Sequence, residues 1–359
     1  LPADRRPLER QPIMRTLIIA IAALLVFAPP ALAASPISYD PQIIKPHLLD
    51  IGGGRRLSIA CVGKGSPVVV FLQGGEGSIL NWRKVEKPIA AMTRVCFYDR
   101  AGFGWSDPPA GPVTGLTETD DLHALLRAAH ISRPVILVGH SMGGFYATLY
   151  ADRFASEVAG MVLVEPAFAG QFDPPTAAER TIEEGNIRQG GTHLRDCANL
   201  ARQGKLSLQD PSGCFMLSDC SATSPDRTAA ETEYLLNMCL RPFSYEAETA
   251  QSDSFFPTHG EEPVDYREER QARRSFGDMP VIVLTAGLSG RDPGQSDAVY
   301  EDFVRRWKLG HDKLAARSTR GESIPVPEAH HFIQLDQPQT VIEAISKAVS
   351  ESRAVQATH

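Results

Sequence analysis

The chain has 359 residues, 43% of them hydrophobic, enough for one large core with an insertion. Its 36 basic and 43 acidic residues leave a net charge of -7, which excludes the electrostatic footprint of a nucleic-acid or anionic-membrane binder. In chain order, Met14 to Ala33 reads as a secretory signal: Arg15 is the charged start, Leu17 to Phe27 the apolar stretch, and Ala31-Leu32-Ala33 the small-residue cleavage site. Residues 1–33 are therefore expected to comprise an over-extended N-terminus (1–13) and a signal peptide, with an uncleaved anchor as the alternative. The mature chain is expected to begin near Ala34, to be secreted or periplasmic, and to have no stable membrane span once the signal is cleaved.

His47 to Ile51 and Arg56 to Val62, joined through Gly52-Gly53-Gly54, read as a hairpin whose glycines supply positive φ. Val68 to Leu72 is an unbroken apolar run, as expected of a strand buried on both faces, and it leads into the flexible loop Gln73-Gly74-Gly75-Glu76-Gly77. Arg94 to Tyr98 is a further strand. Thr117 with Asp120 predicts a capping box, followed by an apolar helical face of Leu122, Leu125, Leu126 and Ala129.

Val135 to Val138 is again a buried strand, and a helical segment follows after Gly139-His140-Ser141-Met142-Gly143. A serine at the tip of so tight a strand-to-helix turn is strained and exposes its hydroxyl, while glycines two before and two after let the backbones pass closely. This pattern is a nucleophile elbow. Met161 to Val164, closed by Glu165-Pro166, and Val281 to Thr285, closed by Ala286-Gly287, are further strands. The interval between them lacks strand-like runs and reads as an inserted helical lid over 167–277. A helix through Trp307 and Leu314, a short strand near Ser323 to Val326, the loop Ala329-His330-His331-Phe332 and a helix from Gln339 to about Arg353 complete the chain. Strands alternating with helices predict a mostly parallel sheet covered on both faces.

Three motifs in order carry a resemblance: the elbow, the block from Tyr98 to Asp107, and His331-Phe332-Ile333-Gln334-Leu335-Asp336. On these the chain resembles the α/β-hydrolase superfamily over essentially all of the mature sequence except the lid. The resemblance implies an α/β-hydrolase fold, a mostly parallel central sheet flanked by helices with an inserted, mainly helical lid. Its core would comprise 34–166 and 278–359.

A serine hydroxyl needs a base within hydrogen-bond reach and a carboxylate to orient that base. The family's order implies Ser141 as nucleophile and His331, rather than His330, as base. The acid stands either at the end of the strand after the elbow helix, Glu165, or after the next strand, where Asp292 is nearest. Glu165 closes its strand directly and is favoured. The oxyanion hole maps to the backbone N–H groups of Gly75 and Met142. The family's loop usually carries His before its first Gly, and Gln73 replaces it here, which should leave the hole intact while changing the bonds that brace the loop. Asp99, Arg100 and Asp107 read as loop bracing.

The function implied is an exported serine hydrolase that cleaves an ester or related acyl bond in a small-molecule substrate, with no metal or organic cofactor. An Asp at position 141 would have pointed to epoxide or haloalkane chemistry. Peptidase, lactonase and carbon-carbon hydrolase activities use the same triad and stay open, as does a non-catalytic small-ligand-binding protein of the same fold. Nothing in the sequence fixes an oligomeric state. Lid residues including Phe168, Phe172, Phe215, Met216, Tyr234, Met238, Phe243, Phe255 and Phe256 either line an acyl pocket or form the lid's own core. The family's strand order makes the second and fourth strands neighbours, which implies a Cys61–Cys96 disulfide and leaves Cys197, Cys214, Cys220 and Cys239 to form two pairs in the lid.

Overall fold

The computed structural model describes residues 39–75, 78–171, 177–206, 214, 227–257, 261–288 and 296–357, with no side chains described for 177–183 or 355–357. The chain divides into Leu1–Ser35, which contains the signal-like segment and lies outside the described residues, and Pro36–His359. Asp292, Cys220, Phe172, Phe215 and Met216 also lie outside them.

The second unit runs β1 (Leu48–Gly52), β2 (Arg55–Val62), β3 (Val69–Leu72), α1 (Glu86–Ala90), β4 (Val95–Tyr98), α2 (Gly115–Ala128), β5 (Val135–His140), α3 (Met142–Arg153) and β6 (Val158–Val164). It continues through α4 (Ala177–Arg202), α5 (Ala229–Cys239), α6 (Pro242–Phe255) and α7 (Val264–Ala272). β7 (Val281–Ala286), α8 (Asp297–Ala315), β8 (Gly321–Val326), α9 (Ile333–Asp336) and α10 (Pro338–Ala357) follow.

The eight strands form one sheet in the order β1-β2-β4-β3-β5-β6-β7-β8. β1 and β2 run antiparallel to each other and β2 antiparallel to β4, and every pair from β4 to β8 is parallel. The apolar runs explain the centre. All residues of β3, β4, β5 and β7 are buried, and alternate side chains feed two cores on opposite faces. Phe71, Ile136 and Val138 join Val341, Ile345 and Val349 of α10, while Leu72, Val135 and Leu137 join Leu122 and Leu125 of α2 and Phe145 and Leu149 of α3. The hairpin turn at Gly52, Gly53 and Gly54 has φ of 95°, 64° and 74°, a region that glycine occupies without steric penalty.

One local expectation is corrected. The helix after β4 begins at Gly115, and its capping box joins Thr114 and Thr117, not Thr117 and Asp120. The start moves three residues earlier because α7 supplies acceptors that local sequence does not reveal: Asp265 Oδ1 accepts from Gly115 N at 2.8 Å and Glu268 Oε2 from Leu116 N at 2.9 Å. Asp120 instead pairs with Arg153.

Between β6 and β7 stand α4 to α7, with no strand among the described residues. Leu194, Cys197, Ala198 and Ala201 of α4 pack with Cys214 and Tyr245 as a separate small core. Tyr234, Met238 and Phe255 are fully buried in the main cores, so these three residues serve packing. Cys61 and Cys96 are directly opposed in the β2–β4 ladder and joined by a disulfide. A second bond joins Cys197 to Cys214, and Cys239 is disulfide-bonded as well. Among the described residues no helix is long and apolar enough to cross a membrane.

Candidate active site

Ser141 stands between β5 and α3 with φ 51° and ψ -122°, a left-handed conformation that costs a non-glycine residue on the order of 1–3 kcal/mol. The surroundings hold it there. Its N–H donates to Val164 O at 3.1 Å, and its carbonyl accepts from Gly144 N at 2.8 Å and Ala167 N at 2.9 Å. The glycines around it are steric requirements: a Cβ at Gly139 would lie 2.3 Å from Gly143 O, and one at Gly143 would lie 2.3 Å from Leu72 O. The Ser141 side chain makes no capping hydrogen bond to the helix. The α3 N-terminus, the positive end of the helix dipole, begins at Met142.

The loop after β3 lies against this turn. A Cβ at Gly74 would be 3.3 Å from Ser141 Cβ, and one at Gly75 would be 3.5 Å from Met142 Cγ. Gln73 turns away from the turn and donates through Nε2 to Tyr98 O at 2.6 Å, bracing the loop on β4. Asp99 and Asp107 brace as well. Asp99 accepts from Trp105 N and from the Tyr234 hydroxyl of α5, and Asp107 pairs with Arg56. Burial pushes the Asp99 carboxyl up to about 6.

The loop after β8 brings in the two histidines, and their environments differ. His330 is exposed, and both its backbone N–H and its ring meet Asp336 Oδ2. The His331 ring packs against the His140 and Phe332 rings, with centroids 4.7 and 5.4 Å away. Burial lowers the His331 imidazolium to about 4, which keeps the ring neutral at ordinary pH. His140, also held neutral by burial, is 2.9 Å from His331 O through Nε2 and so ties the serine turn to the histidine loop.

Glu165 is buried at the carboxyl end of β6 with φ 46°. Its Oε2 accepts from Ala286 N at 2.6 Å and its Oε1 from Trp307 Nε1 at 2.8 Å. Trp307 lies one turn before His311 on α8, and His311 makes 2.9 and 2.8 Å contacts to Pro166 O and Thr285 Oγ1. Ser141, Glu165 and His331 thus gather where β5, β6 and β8 end, the edge at which open α/β sheets collect ligands. Among the described residues no hydrogen bond joins the three side chains to one another. Sequence reading missed Trp307, His311 and Gln251; the one signal available was the i, i+4 spacing of two ring side chains on a helix.

A cavity of about 450 Å³ lies between α3, α7 and α8, lined by residues including Thr148, Phe168, Arg273 and Leu309. Neither Ser141 nor His331 lines it. His193, Cys197 and Cys214 place metal-ligating atoms within 4.8 Å of one another, but the two sulfurs are bonded to each other.

The family model described as the alpha/beta hydrolase fold matches residues 67–203. An uncharacterized protein of Schizosaccharomyces pombe is 44% identical over 81 residues, 23% of this chain and 15% of that protein. The chain spans less than half the length of each curated relative compared, at most 47%. Among solved structures, a thermophilic esterase from Thermogutta terrifontis superposes with TM-score 0.56 at 17% identity, covering 86% of this chain and 99% of that one. A haloalkane dehalogenase from Agrobacterium tumefaciens gives TM-score 0.61 at 18% identity, over 86% and 97% of the two chains. Sheet order, strand-to-helix serine turn and these likenesses agree: the chain has the alpha/beta hydrolase fold.

Proposed function

We propose that the protein is an exported serine hydrolase that cleaves an ester or related acyl bond of a small molecule through an acyl-enzyme. The observation that carries this reading is Ser141 itself, strained at φ 51° with its hydroxyl outside the helix cap and flanked by Gly74. Strain at one serine, maintained by glycines that tolerate no Cβ, serves chemistry rather than packing.

In this reading His331 removes the Ser141 proton as Oγ attacks the acyl carbon, and the carbonyl electrons move onto oxygen. The N–H groups of Gly75 and Met142 receive that oxyanion, supported by the positive end of α3. Collapse expels the leaving group, which takes the proton from His331, and water repeats the sequence on the acyl-enzyme. Glu165 orients His331 and stabilises the imidazolium. The bonds from Ala286 N and Trp307 Nε1 hold its carboxylate in place at the end of β6.

Serine rather than aspartate at position 141 favours acyl transfer over the haloalkane chemistry named for one structural neighbour. The signal-like Met14 to Ala33 and the two disulfides Cys61–Cys96 and Cys197–Cys214 support an oxidising compartment outside the cytoplasm. Fluorophosphonate labelling of the folded protein, followed by peptide mapping, tests the reading: the label belongs on Ser141, and a folded protein that takes up none is a binding protein instead.

A further inference from the structure

Arg100 is 3% exposed, and its guanidinium lies beneath the loop that follows β3. Nη1 donates to Gln73 O at 2.7 Å. Nη2 donates to Gly74 O at 2.9 Å, Gly75 O at 2.6 Å and Gln251 Oε1 of α6 at 3.0 Å. Three consecutive loop carbonyls therefore converge on one cation, an arrangement no carboxylate or neutral side chain could hold. The Phe103 and Tyr146 rings lie 5.0 and 5.5 Å from the guanidinium carbon and fix its place. The only carboxylate within ion-pair distance among the described residues is Glu118, 3.7 Å from Nε, and no hydrogen bond joins the two.

The consequence follows from the planarity of the peptide unit. The carbonyl of Gly74 and the N–H of Gly75 belong to one trans peptide and point in opposite directions. Fixing Gly74 O on Arg100 therefore fixes the Gly75 N–H pointing away from it, and the Gln73 carbonyl does the same for the Gly74 N–H. Gly74 and Gly75 are the residues that abut Ser141 and Met142.

We propose that Arg100 is a positioning residue for acyl transfer, clamping the Gln73, Gly74 and Gly75 carbonyls so that the loop amides are aimed at the developing oxyanion before substrate arrives. This rests on the serine hydrolase reading above. It assigns the buried charge a task beyond loop stability: a preorganised donor acts mainly in the transition state, so its loss lowers kcat and leaves KM nearly unchanged. Gln251 extends the clamp to α6, and its side chain also closes over Gly75, where an added Cβ would meet Nε2 at 2.8 Å. The loop geometry is thus shared between the sheet and the inserted helices.

Arg100→Lys keeps the charge opposite Glu118 but replaces the planar fork, whose two nitrogens divide the carbonyls between them, by a single nitrogen on a flexible stem. With p-nitrophenyl acetate as probe, kcat should fall about 10²-fold with KM changed by less than about threefold, and fluorophosphonate labelling should slow in parallel. Glu118→Gln keeps the clamp and should retain kcat within about threefold of wild type. Should Arg100→Lys fail to fold, Arg100→Met combined with Glu118→Gln removes both charges together and leaves neither uncompensated; it should show the same kcat loss. Wild-type kcat in a folded Arg100 variant would overturn the proposal. So would a Glu118→Gln loss as large as that of Arg100→Lys, because the ion pair and not the clamp would then matter. A wild-type protein that neither labels nor turns over removes this proposal together with the reading beneath it.

Discussion

The indole Nε1 of Trp307 donates a 2.8 Å hydrogen bond to Glu165 Oε1, joining α8 to the end of β6 across 142 residues. With Ala286 N on the other oxygen, the carboxylate is held at two points, which limits the directions in which it can meet a histidine. Glu165→Gln should therefore reduce kcat severely, on the order of 10⁴-fold, as expected when the base loses its orienting anion. Trp307→Phe keeps the ring and loses only the donor; its kcat should fall about tenfold with little change in KM. Steady-state kinetics on the two variants check the order, and a larger loss in Asp292→Asn than in Glu165→Gln would transfer the acid role.

Ser141 offers a separate test in which activity and stability move oppositely. Ser141→Ala should abolish turnover, a loss on the order of 10⁶-fold, with stability within about 0.5 kcal/mol of wild type. Ser141→Gly should be equally inactive yet more stable by about 1 kcal/mol, since glycine adopts φ 51° without strain. Urea denaturation of both variants measures this, and equal midpoints would show that the turn carries no strain.

Burial lowers His331 to about 4, so the neutral base is already present in mildly acidic solution. The sign follows directly: kcat/KM should rise as the pH passes upward through about 4 and stay level into the neutral range. The same shift carries a stability consequence. The unfolded chain binds the proton more readily than the folded one, so His331 contributes stability that is present above its ordinary value of 6.5 and lost as the pH falls towards about 4. A pH-rate profile with its acid limb centred near 7 would contradict the buried environment described for this ring.

The Cys61–Cys96 bond closes a loop with a sequence separation of 35. In the chain-entropy account, such a loop is worth about 3–4 kcal/mol of stability. Replacing both cysteines with alanine should lower the denaturation midpoint accordingly and leave Ser141 labelling in the folded protein unchanged. Peptide mapping without reductant should recover the two cysteines in one cross-linked fragment.

The sequence by itself determined the elements that depend on neighbours in the chain. Apolar runs marked the strands buried on both faces, Gly52 to Gly54 marked the hairpin turn, and Gly139 and Gly143 marked the serine turn, because dihedral preference and burial are written into a few consecutive residues. Tertiary structure decided what depends on strand order. The start of α2 at Gly115 needed acceptors from Asp265 and Glu268, some 150 residues away, so the local Thr117-Asp120 pattern misplaced it. The separation of His330 from His331 needed Asp336 to take the first ring and His140 to pack on the second. The Trp307 bond to Glu165 and the Arg100 bonds to the loop after β3 join segments with no shared periodicity. Such contacts exist only once the parallel sheet has set the ends of its strands side by side, and no local pattern encodes which ends those are.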